Sequence, residues 1–168
     1  MAMRLLQIAL VAITILCSSF GAISQSTKSV ISCASADLDS MPGNWSIDDQ
    51  SCLRLDLGIN SPGNTIFFEI SANMDIDILM FPANTISVYQ NEQTYRMESV
   101  WESDSVFESF TGSGEWHWEV PEDWGETRWY PILDNLDHPQ DGGAGSNGGN
   151  IAEISLNAGQ IPSQLYKL

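Results

Sequence analysis

Two groups of side chains in this sequence could carry chemistry, and the first consists of acids and amides. Asp75 and Asp77 alternate along a predicted strand. Four further residues precede a glycine-rich segment: Asp134, Asn135, Asp137 and Asp141. Ca²⁺ takes six to eight oxygen ligands, which carboxylates, amide side chains and loop carbonyls supply. The sequence therefore predicts Ca²⁺ as the candidate ion, and it favours the four-residue group over Asp75 and Asp77 as the site. The alternative is an Asx-rich turn, which would need no metal.

The second group is aromatic and lies in a short acidic region. It comprises Trp101, Trp116, Trp118, Trp124, Trp129 and Tyr130. A tryptophan ring can stack on a sugar while nearby carboxylates accept hydrogen bonds from its hydroxyls, so exposed tryptophans would indicate a glycan-binding surface. Trp116 and Trp118 alternate with charged residues, which favours the core for both. Trp124 lies in a predicted turn between Asp123 and Gly125 and is therefore the candidate ligand-binding aromatic.

Catalysis is not predicted. Paired carboxylates such as Glu115 with Glu119 could serve as the acid and base of a glycosidase, but a chain with 22 acidic residues contains such pairs by chance. The sequence carries no Gly-x-Ser-x-Gly elbow and no His-Glu-x-x-His motif. Its two histidines, His117 and His138, are remote in sequence from Cys33 and Cys52, and no Cys-x-x-Cys spacing indicates zinc.

The first 24 residues have the pattern of an export signal. A positive charge at Arg4 precedes an apolar run over 5–17, and small residues at Ala22 and Ser24 suit cleavage before Gln25. The alternative is an uncleaved anchor, but a spanning helix needs about 20 predominantly apolar residues and polar residues dilute this stretch. The sequence predicts a secreted or extracytoplasmic protein with no membrane span after signal removal.

The cysteine count supports this interpretation. Signal cleavage would remove Cys17 and leave Cys33 and Cys52, which an oxidising compartment would join in a disulfide. Two free buried thiols are the alternative. In the chain-entropy model, closing a loop of this size stabilises the fold by about 3 kcal/mol.

The net charge of −16 restricts the possible partners. So acidic a chain repels phosphate backbones and anionic membrane surfaces, which excludes nucleic acid as a favoured partner. We expect instead an extracellular protein or a glycan. The tripeptide that begins at Asn44 also has the acceptor pattern for N-glycosylation.

Hydrophobic alternation predicts an all-β fold. Residues 25–52 show little periodicity and are predicted to form an irregular, disulfide-pinned lead-in, followed by one domain over 53–168. The candidate strands are 53–57, 65–72, 75–81, 85–89, 105–110, 115–120, 127–134 and 151–156. Short strands separated by turn residues are typical of antiparallel sandwiches. We therefore predict a jelly-roll-like β-sandwich of roughly seven to nine strands, preceded by the helix of the signal peptide.

Two segments carry a resemblance to a known family. The Asp-x-Asp strand within 67–81 and the aromatic-led run over 129–135 resemble the bacterial pre-peptidase C-terminal (PPC) domains, and the GOLD domain is similar at the same places. The resemblance implies a non-catalytic, jelly-roll-like binding or structural module at a cell surface or in an extracellular matrix. Pro131 interrupts the second segment, which predicts a bulged or edge strand there.

Overall fold

A computed structural model describes residues 30–93, 107–139 and 147–163, and the strands among them join in one sheet. The eight strands are β1 (Ala34–Asp37), β2 (Gly43–Ile47), β3 (Ser51–Asp56), β4 (Ile59–Asn60), β5 (Thr65–Pro82), β6 (Phe107–Glu119), β7 (Thr127–Asn135) and β8 (Ala152–Ile161). The all-β fold and the strand number are thereby confirmed. The predicted signal peptide lies outside the described residues.

The 18-residue strand β5 organises the sheet. Strand β6 pairs along one side of it, while β8 pairs with 65–72 and β7 with 77–82 on the other side. The order is β1-β3-β7-β5-β8-β2, with β6 added to β5 and β4 added to β7. Because side chains from both halves of β5 share one hydrophobic cluster, the sheet curls around its core.

A second, smaller cluster covers the opposite face of β5 and β7. Leu79, Phe81 and Ile132 pack there beneath the short helix α1 (Ile86–Gln90). Both faces of β5 are therefore buried near its end, whereas near its beginning Glu69 is exposed to solvent. The predicted strand over 85–89 is wrong, since Ile86 and Tyr89 are both buried on one side of this helix.

The N-terminal lead-in is more regular than predicted. It contains β1, which pairs in parallel with β3, and β2, which pairs with β8. The other described strand pairs are antiparallel, as predicted. Both strands have few residues and distant partners, so they leave little local periodicity. The predicted disulfide between Cys33 and Cys52 is confirmed, with Cα atoms 4.5 Å apart.

Of the two predicted alternatives for Pro131, a bulged strand or an edge strand, the edge is wrong, because β7 lies between β3 and β5. The described ladder between β3 and β7 ends at Ile132, and β4 takes over as neighbour at Arg128. Pro131 therefore lies between the residues of β7 that pair with β3 and those that pair with β4. No hydrogen bond of either ladder needs its missing N–H, so a central strand can contain the proline.

Replacing both Cys33 and Cys52 with alanine should lower the free energy of unfolding by about 3 kcal/mol. The disulfide closes a loop between positions 19 residues apart, so its loss frees the unfolded chain. Urea unfolding of the variant and of the oxidised wild type measures the change. Equal midpoints would show that the bond does not stabilise the fold.

Candidate functional site

The outer face of the sheet carries an open groove of about 620 Å³. Strand β5 buries Ile66, Phe68 and Ile70, so its alternate residues Glu69 and Ser71 face outward. Strands β6 and β8 supply equivalent positions on either side. The polar side chains that line the groove are Glu69, Ser71, Ser113, Glu115, Ser155 and Asn157. Three strands thus present carboxylate, hydroxyl and amide groups on one surface, which we call the acidic groove.

Two carboxylates oppose each other across the acidic groove. Glu69 and Glu115 are directly paired residues of β5 and β6, and both are exposed. Like charges directly opposite on adjacent strands destabilise a sheet. Asn157 restrains one of them by donating its Nδ2–H to Glu69 Oε2 at 2.8 Å. The arrangement is suited to accepting positive charge and hydrogen-bond donors.

Within the described part of the chain, the Lys and Arg residues are Arg54 on β3 and Arg128 on β7. Arg54 lies over the Tyr130 ring, 5.1 Å from its centroid, and Arg128 pairs with Asp56 at 3.4 Å. Both belong to the half of the sheet away from β6 and β8. No Lys or Arg of the described residues therefore lies beside the acidic groove.

An aromatic ring lies beside the acidic groove on the same face. Phe67 is half-buried and paired with His117 on β6 and Gly159 on β8. Its ring occupies the space above Gly159, where an added Cβ would collide with it. The glycine thus lets an aromatic ring cover the sheet next to Glu69.

A second cluster of titratable groups is buried beneath α1. Asp77 and Asp134 are directly opposed on β5 and β7, with 3% and 2% of their surfaces exposed. Tyr89 donates its hydroxyl to Asp134 Oδ2 at 2.7 Å, and the Ser109 N–H donates to Asp77 Oδ1 at 2.9 Å. His138 stacks on Tyr89, with ring centroids 5.1 Å apart.

Burial raises the pKa of Asp134 to about 8, and the facing charge of Asp77 adds to this effect. The hydrogen bond from Tyr89 acts in the opposite direction but does not offset the other two. Asp134 is therefore mostly protonated at neutral pH. A perturbed carboxyl can indicate an active site, but Asp134 is only 2% exposed among the described residues.

The predicted Ca²⁺ residues do not share one environment. Asp134 is engaged by Tyr89, while Asp137 and Asp75 are exposed. Asn135 donates to the main-chain oxygens of Ile47 and Asn150, and its own side-chain oxygen accepts from the Asn147 N–H. The bonds with Asn147 and Asn150 tie residues 147–150 to the end of β7.

Asp141 lies outside the described residues. Across residues 30–93, 107–139 and 147–163, no three His, Cys, Asp or Glu side chains gather as they would to hold a metal ion. The assignment of Ca²⁺ stays a prediction.

The tryptophans largely build the core. Trp116 and Trp118 are buried, as the alternation predicted. Trp124 is half-buried in the turn after β6, and its ring meets the ring of Trp129 edge-on at 5.7 Å. Its role in ligand binding stays a prediction, as does glycosylation of Asn44, which is exposed on β2.

The fold and site define an acidic, disulfide-linked all-β protein with a polar groove on its outer face. No helix within the described ranges has the length and apolar character that a bilayer crossing requires.

No protein-family model and no curated protein matches the chain. Among solved structures, the chain is similar to Aeromonas hydrophila PliG, a periplasmic lysozyme inhibitor of g-type lysozyme, with a TM-score of 0.49 and 12% identity. The match covers 79% of this chain and 98% of that one. The resemblance to PPC and GOLD domains stays a prediction.

Proposed function

We propose that this chain is a secreted, non-catalytic binding module that takes a positively charged extracytoplasmic protein as its partner. The observation that carries the proposal is the acidic groove, where Glu69 and Glu115 face each other without a Lys or Arg among the described residues of that half of the sheet. The disulfide supports an oxidising compartment, where such bonds persist.

The facing carboxylates Glu69 and Glu115 are better explained by a role in binding than by a role in stabilising the sheet. Directly opposed carboxylates cost stability in the free protein, and a cationic partner would relieve that cost by pairing with both. The net charge of −16 would also speed the approach of a cationic partner and repel an anionic one. Specificity and association rate are the properties that such complementarity mainly supplies.

The test measures binding of the protein to a ten-residue oligolysine peptide in low salt. The variant Glu69→Gln/Glu115→Gln should raise the Kd about tenfold, because two ion pairs are lost. The matched control, Asp39→Asn/Asp48→Asn, removes the same charge from exposed positions outside the acidic groove and should change the Kd by less than about twofold.

Isothermal titration calorimetry at two ionic strengths measures the change in Kd for the groove variant and for the control variant. Equal weakening by the two double variants would mean that the peptide responds only to the net charge of the chain, and the acidic groove would lose its assigned role. Absence of binding by the wild type would reject a cationic partner altogether.

A further inference from the structure

Among the described residues, strand β6 forms a long edge of the sheet. It spans 13 residues, and within the described part of the chain its strand partner is β5. One ladder engages only alternate main-chain groups of an antiparallel strand, so the remaining N–H and C=O groups of β6 point away from β5. Such an edge can pair with a further strand.

The regular part of this edge is long enough for a docking strand. Gly112 to Glu119 pair with Ala72 to Thr65 in unbroken register, eight residues against eight. The register shifts fall beyond Gly112, towards the start of β6, where Ser109 and Gly112 have φ values of 74° and 89°. Strands of five or six residues are common in proteins, so the regular portion exceeds what one added strand requires.

The exposed charges of β6 determine which kind of strand can pair with this edge. Trp116 and Trp118 are buried, which leaves Glu115, His117 and Glu119 exposed on the outer face of the same strand. A second copy of the chain would bring its own carboxylates opposite these and would be repelled. A strand that carries Lys or Arg would instead form opposite-charge cross-strand pairs, each of which stabilises a sheet.

We propose that β6 receives an extended, cationic segment of the partner protein as an additional strand of the sheet. This inference rests on the proposed function, because it specifies how the cationic partner is held. The main chain of the segment pairs with the outer edge between Gly112 and Glu119, and its basic side chains reach Glu115 and the acidic groove. Main-chain pairing supplies affinity in this mode, while the side chains supply specificity.

The test uses two probe peptides of equal charge. One is a ten-residue peptide that alternates lysine and threonine, and the other has its six central amide nitrogens methylated, which removes the N–H donors. Strand addition predicts that methylation weakens binding at least tenfold. Amide hydrogen exchange of the protein supplies the second measurement: alternate amides between 112 and 119 should slow about tenfold at a peptide concentration ten times the Kd.

A charge-reversal variant tests the side-chain part. The variant Glu115→Lys/Glu119→Lys should no longer bind the unmethylated peptide. The control Asp39→Lys/Asp48→Lys has the same change in net charge and should retain most of the affinity for that peptide. Equal losses in the two variants would overturn the assignment of the basic side chains to this edge.

The remaining outcomes separate the two proposals. If both peptides bind equally and exchange in β6 is unchanged, strand addition is wrong and binding by charge alone stands. If neither peptide binds, both proposals fail. If the free protein sediments as a dimer and the outward amides of β6 are already protected, a second copy occupies the edge and the cationic strand is rejected.

Discussion

Replacing Asp134 with asparagine should remove a pH dependence of stability that the wild type shows between about pH 4 and pH 8. The pKa of Asp134 rises from 3.8 to about 8 on folding, first because of burial and then because of Asp77. Within that window the folded protein holds a proton that the unfolded chain has lost. The stabilisation that this proton gives the folded protein is complete below the pKa of Asp134 in the unfolded chain. It is lost as the pH rises through the pKa of Asp134 in the folded protein.

The expected slope is about 1.4 kcal/mol of unfolding free energy per pH unit, the value for one proton. The substituted asparagine would be neutral at every pH, and its side-chain oxygen can still accept the hydrogen bond from Tyr89. The wild type should therefore lose stability relative to Asp134→Asn as the pH rises, and the difference should level off above about pH 8.

Urea unfolding at unit steps from pH 5 to pH 9, followed by circular dichroism, measures this difference. Asp75→Asn is the matched control because it removes one carboxylate from an exposed position on β5, two residues from Asp77. Parallel pH profiles for the wild type and Asp134→Asn would contradict a proton held at Asp134.

The acidic groove was largely within reach of sequence reasoning. Glu69 and Ser71 alternate with apolar residues along 65–72, and Glu115 alternates with Trp116 and Trp118 along 115–120, so the pattern alone separates them from the core. Which carboxylates would oppose each other depends on the register between β5 and β6, which no local pattern encodes. The edge at β6 likewise follows from strand order and not from composition.

The register shift within β5 shows that the same residue types are compatible with a turn and with a β-bulge. The sequence predicted two separate strands, 65–72 and 75–81, whereas the chain continues as one strand whose register with β6 shifts between Ala72 and Ile76. Turn residues and bulge residues are similar in type, and only the pairing partners distinguish them.

The helix α1 was missed for a related reason. Ile86 and Val88 favour a strand by propensity, but Ile86 and Tyr89 are three residues apart and both are buried, the spacing of one helical face. That spacing was visible in the sequence. The contact from Tyr89 to Asp134 was not, because it joins an element after β5 to the end of β7. A raised carboxyl pKa that depends on such a contact is beyond local sequence reasoning.

Truncation of Trp129 to alanine should lower the free energy of unfolding by about 3–5 kcal/mol, the usual cost of removing a fully buried aromatic side chain. Trp129 is 0% exposed and meets Trp118 edge-on, with ring centroids 4.8 Å apart. Trp129→Phe keeps an aromatic ring against Trp118 and should cost clearly less.

Trp124 provides the comparison that makes this result specific. Its half-buried ring packs on Trp129 from the other end of the turn, so Trp124→Ala should cost less than Trp129→Ala, and the two changes should couple by about 0.5–1.5 kcal/mol. Urea unfolding of the two single variants and the double variant, followed by far-ultraviolet circular dichroism, measures the coupling. Strict additivity would mean that the Trp124 ring does not rest on Trp129 in solution. The ring would then be free to serve as the ligand-binding aromatic that its position between Asp123 and Gly125 predicts.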